Sequence, residues 1–228
     1  MNHRRTMTCL NKFNDEAVAV VMNNHHPIAV EQLHEALVHM KGNMAGACCP
    51  QSPLTPRPKS ARPRAARHHA TLPHYVKERS SNRENMFLYL NELVLDDTTD
   101  QHPSTFAIYC AVTLFNVAIL YHVEGLAKGR MALMDKAHQM YQASLHFLNG
   151  LDLNNDTVFL VNLANHNNMA QIELEKGMVD APNGRLVHSF SLLQSIKSRA
   201  LDILSDTELR GFLLNSSLQG KISSAAAA

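Results

Sequence analysis

The chain has 228 residues, of which 45% are hydrophobic, and a net charge of +1, which is long and apolar enough for a sizeable core. No run approaching about 18 consecutive apolar residues stands out, so no membrane span is expected, and Arg4 and Arg5 have no apolar stretch behind them before Asn11, Lys12 and Asn14, which argues against a secretory leader. Four cysteines, at 9, 48, 49 and 110, lack the density of a disulfide framework, so the expected compartment is reducing, cytosol or nucleus.

Residues 11–40 read as a helical hairpin. Its first helix passes through Phe13, Ala17, Val20 and Val21 and is broken before Pro27, because proline disfavours helix in the residue ahead of it. The second follows through Val30, Leu33, Leu37 and Met40, and Gly42 stops it. From 42 to 81 periodicity vanishes. Six of the nine prolines fall between Pro50 and Pro73, and residues 50–79 hold seven of the 21 Lys and Arg but one of the 20 Asp and Glu, leaving the remainder at −5. Such a stretch buries too little apolar surface to offset its ordering entropy, so 42–81 is expected to be a disordered basic linker. The run Asn85–Leu95 suits a short helix or an extended segment laid over the helices, because short apolar runs do not separate the two periods.

Residues 82–219 read as the main helical region. A helix is predicted over 104–126, with Ser104 or Thr105 as cap and Phe106, Val112, Phe115, Ile119 and Val123 recurring. Gly125 and Gly129 bracket a turn, and Met131 to Leu148 is the antiparallel partner. A second pair spans about 156–175 and 185–204, separated by Gly177 and by Ala181-Pro182-Asn183-Gly184. Ser205-Asp206-Thr207-Glu208 matches a capping box and opens a short helix through Leu209, Phe212 and Leu213. Residues 220–228 read as a flexible tail.

These hairpins resemble tetratricopeptide repeats. In the first, Phe13 falls at the family's aromatic position, Ala17 at its small residue, Val20 at its tyrosine, and Ala29, Leu33 and Ala36 at the packing positions of the second helix. A second unit matches through Asn116, Val117, Ala118 and Tyr121, then Ala137, Tyr141 and Ser144. In a third, Asn168-Met169-Ala170 repeats Asn116-Val117-Ala118, with Leu186 and Phe190 as packing candidates beyond an expanded turn. Departures include Glu16 at a usual leucine position and Lys41 where a proline closes the repeat. The fold implied is all-α: stacked antiparallel hairpins in a right-handed superhelical array, interrupted by the basic insertion.

The resemblance also implies a role, that of a non-enzymatic scaffold holding a peptide of another protein in a groove lined by the first helices. Asn116, Ile119, His122, Asn168 and Gln171 would line it, an amide suiting the task because it donates and accepts at once. Versions that grip a terminal carboxylate carry Lys or Arg beside such asparagines, whereas Phe115 and Asn167 stand here, so an apolar or amide-rich ligand is favoured. No cofactor is implied. His34 and His39 lie five residues apart, which turns them to different helix faces and argues against a zinc pair, and no nucleophile elbow or phosphate loop is evident. The alternative is affinity for nucleic acid or an anionic surface through Arg57, Lys59, Arg62, Arg64 and Arg67, although no aromatic stacking residue is interleaved with them.

Overall fold

The computed structural model describes residues 65–68, 87–90, 92–95, 103–178, 180–195 and 200–226. The expected hairpin at 11–40 and most of the linker lie outside these residues. The folded body is all-helical, in the order α1 (Pro103–Lys128), α2 (Met131–Leu148), α3 (Asp156–Glu175), α4 (Asp180–Ser195), the one-turn α5 (Ala200–Ile203) and α6 (Asp206–Ala226). Two short strands accompany it, β1 (Ala65–His68) and β2 (Glu92–Leu95), paired antiparallel with Ala65 opposite Leu95 and Arg67 opposite Leu93. Four residues of the expected disordered linker are therefore strand, because β2 offers them a free edge. Of the run Asn85–Leu95, residues 87–90 are not helical and 92–95 form β2, so the described residues follow the strand-like alternative.

Local chemistry fixes most helix ends. Gly129 and Gly177 end α1 and α3 with φ of 61° and 72°, a left-handed conformation that glycine adopts without a Cβ clash. The Asn155 side chain caps α3 by accepting from the Thr157 and Val158 amides, and Ser205 and Glu208 form the expected reciprocal box: the Ser205 amide donates to Glu208 at 2.7 Å and the Glu208 amide to Ser205 Oγ at 3.3 Å. Three boundaries differ from expectation. Helix α1 runs on through Gly125, whose bare Cα admits Met134 to within 2.7 Å of where a Cβ would sit. Helix α4 begins at Asp180 and absorbs Pro182, because first-turn amides have no intrahelical acceptor to lose. Helix α6 continues to Ala226, where a tail from 220 was expected; one internal glycine costs a helix only about 1 kcal/mol, and alanine is the best helix former.

Short connections force the hairpins. α1 packs along α2 and α3 along α4, while α2 and α1 both touch α3, and α4 touches α6. Ala118, Ala137 and Ala170 are wholly buried, as the close helix contacts require. Ser144 on α2 donates to the Ala111 carbonyl on α1 at 2.8 Å and accepts from Asn165 on α3 at 2.9 Å, stitching three helices together. In the third unit Leu186 is buried as expected, but Phe190 faces outward and Ser189 takes the inward position. Among the described residues one helix, Ser104–Lys128, is long and apolar enough to cross a membrane, yet 83% of its most apolar 18-residue window is buried within the protein. Its apolarity is accounted for by the core.

Candidate functional site

The first helix of each hairpin, α1 and α3, together with α6, forms one face, and an extended segment of the same chain lies across it. Three buried asparagines hold that segment, one from each helix. Asn116 on α1 accepts from the Leu93 amide at 3.1 Å and donates to the Leu93 carbonyl at 2.9 Å. Asn168 on α3 does the same to Tyr89, at 3.0 and 2.8 Å. Asn215 on α6 grips Phe87, at 2.8 and 2.7 Å. A carboxamide satisfies a peptide's donor and acceptor together only when its plane faces the edge of an extended backbone. Residues 87, 89 and 93 share parity, so in a strand they turn their peptide groups to the same edge and their side chains to the same face.

That face meets prepared walls. Phe87 stands edge-on to Phe212, with ring centroids 5.2 Å apart, and Tyr89 stacks on Phe212 at 5.7 Å with Phe115 at 6.1 Å. Gly211 makes the floor beneath Phe87, since a Cβ there would fall 2.3 Å from the ring. Asn167 adds a second donor to the Phe87 carbonyl at 2.9 Å and accepts from Asn215 at 2.6 Å.

No known family, curated protein or solved structure matches this chain. What the face can do is therefore argued from its own geometry.

The structure gathers the five expected groove residues on α1 and α3, but none is open: Asn116, Ile119, His122, Asn168 and Gln171 are all buried. The face on which an open groove was expected is covered by the chain's own residues 87–90 and 92–93. Asn116 and Asn168 hold the backbone of Leu93 and Tyr89 in the same chain, whereas the expectation was for a peptide of another protein. Phe115 and Asn167, which stand where a carboxylate clamp would place cations, both touch that segment. Ile119 belongs to the apolar core. His122 and Gln171 lie behind the segment in a directed hydrogen-bond chain. Gln171 donates to Glu175 at 3.1 Å, so its Oε1 accepts from His122 Nε2 at 2.7 Å. His122 Nδ1 is then the bare nitrogen and accepts from the Tyr141 hydroxyl at 3.3 Å, which in turn accepts from Asn168 at 3.1 Å. Burial lowers the His122 pKa to about 4, keeping the ring neutral as this chain requires.

A second buried cluster braces the array. Glu173 Oε1 receives His138 at 2.8 Å and Arg185 at 2.6 Å, tying α2, α3 and α4 together. Burial works to raise its pKa, but the hydrogen bonds from His138 and Arg185 and the charge of Arg185 outweigh it and hold the carboxyl below its ordinary value. Of the basic residues, Arg67 stands in β1 opposite Leu93, and Arg57, Lys59, Arg62 and Arg64 lie outside the described residues. Among the described residues no cluster of His, Cys, Asp or Glu could hold a metal ion.

Proposed function

We propose that this chain is a non-enzymatic adaptor whose TPR-like array holds an extended segment of another protein. The observation that carries the reading is the set of three two-way amide grips, from α1, α3 and α6, on the backbone of Leu93, Tyr89 and Phe87. Such grips recognise the strand itself, and the side-chain pockets between them supply selectivity. The floor at Gly211 and the aromatic wall at Phe212 and Phe115 favour an apolar, aromatic-bearing segment over an acidic terminus, and the flanking Phe115 and Asn167 carry no positive charge to attract one.

The test is capture from cell extract on three full-length baits: the intact chain, an Asn116→Ala/Asn168→Ala variant, and a version lacking 50–79, each washed at low and high salt. The expected result is a protein partner that survives high salt on the intact chain and is lost with the asparagine variant, after thermal unfolding has confirmed that variant to be folded. A nucleic-acid or lipid partner that is stripped by salt and lost only with 50–79 would overturn the reading, since phosphate-driven affinity falls steeply with ionic strength.

A further inference from the structure

Resting on that reading, we infer that the segment bearing Phe87, Tyr89 and Leu93 is a resident ligand, a self-segment that a partner must displace, and that the spacing of these three residues defines the partner's segment. The rule is an aromatic at the first position, an aromatic at the third and leucine at the seventh, on extended backbone. Each of those three positions must carry a free N–H, so none can be proline. The grips contact only the peptide groups of Phe87, Tyr89 and Leu93, and any chain with donor and acceptor at those positions satisfies them equally. Side chains then select: the Gly211 floor accepts a flat ring at the first position, the Phe212 and Phe115 faces accept one at the third, and the fully buried Leu93 marks an apolar seventh.

A resident is needed because the face cannot stand empty. Asn116, Asn168 and Asn215 are buried at 0% exposure, and stripping the segment would take from each the backbone donor and acceptor it now holds, a loss that is costly for buried amides. Occupancy therefore passes from one strand to another by exchange. The resident has the advantage of being tethered, which gives it a high effective concentration, so a partner gains access as the resident weakens or as its own concentration rises. The segment acts as a threshold on the adaptor.

The probe is a fluorescent synthetic peptide with the sequence of residues 85–95, beside one with proline at the place of Tyr89, titrated against the full chain and against a Phe87→Ala/Tyr89→Ala variant whose resident is weakened. The expected result is binding to the variant about tenfold or more tighter than to the intact chain, no binding of the proline peptide, and loss of binding when Asn168→Ala is added. Equal affinity for both proteins, or equal binding of both peptides, would overturn the inference. Should the double variant not fold, hydrogen exchange on the intact chain decides: saturating peptide should speed exchange at Tyr89 and Leu93 while α1 is unchanged, and unaltered protection would sink the idea. A partner captured through Asn116 and Asn168 that the 85–95 peptide fails to compete away leaves the adaptor reading standing and removes this one. Peptide exchange without any asparagine-dependent partner does the reverse.

Discussion

At the scale of single residues the unusual element is the amount of polarity placed inside. Asn116, Asn168 and Asn215 are each buried with both amide groups engaged, which turns a costly burial into a directional contact. His122 carries the sharpest consequence. Its folded pKa of about 4 lies below the ordinary value near 6.5, so between the two the unfolded chain takes up a proton that the folded chain refuses. Stability is thus whole above about pH 6.5 and is lost as the pH falls toward 4, by on the order of 3 kcal/mol from this residue. His166, lowered to about 3 chiefly by burial and by His188 and Arg185, adds in the same direction. Thermal unfolding from pH 7 to 4.5 should therefore fall more steeply for the intact chain than for His122→Gln. Parallel curves would place the acid sensitivity elsewhere. Cys110 is a second residue-scale case, its thiol pushed up to about 12 by burial. Alkylation at pH 8 should leave Cys110 unmodified until denaturant is added, as peptide mass mapping would show.

At the scale of elements, the extended segment and α6 fit by a single missing methyl. Gly211→Ala should cost about 1–3 kcal/mol by forcing the Phe87 ring off its floor. In a double-mutant cycle Phe87→Ala should recover much of that loss; additive losses would separate the two sites. Ala118→Asp should cost more than about 4 kcal/mol by setting an unpaired charge in the buried face of α1, and an unchanged melting temperature would refute that packing. How much of this was legible follows from pattern length. Long helices with clear periods and caps could be read directly, and Asn116 and Asn168 stood out because each heads the same Asn-x-Ala triplet. Asn215 escaped, although Asn215-Ser216-Ser217 repeats the asparagine-to-small spacing 47 residues after Asn168, where Asn168 follows Asn116 by 52. Its pattern reads as a short terminal helix, and serine in place of alanine hides the echo. The extended segment was undecidable locally: Phe87 to Leu95 satisfies either period, and only the helix amides, distant in sequence, choose between them. That same segment is why the expected groove is filled.

At the scale of the whole molecule, the segment couples three helices that are otherwise joined pairwise, since Phe87, Tyr89 and Leu93 are held by α6, α3 and α1 in turn. It should open as a unit, below the cost of global unfolding. Native-state hydrogen exchange is expected to show Tyr89 and Leu93 amides losing protection together and sooner than Ile119 in α1; protection equal to that of Ile119 would make the segment inseparable from the core. The order of the grips has a mechanical side as well. Because the N-terminal end of the segment sits on α6 and its C-terminal end on α1, tension arriving through the upstream chain falls on Asn215 first, then Asn168, then Asn116. The bonds are loaded in succession, like a strip peeled from one end, so a modest pull could undo what would resist the same force applied to all three at once.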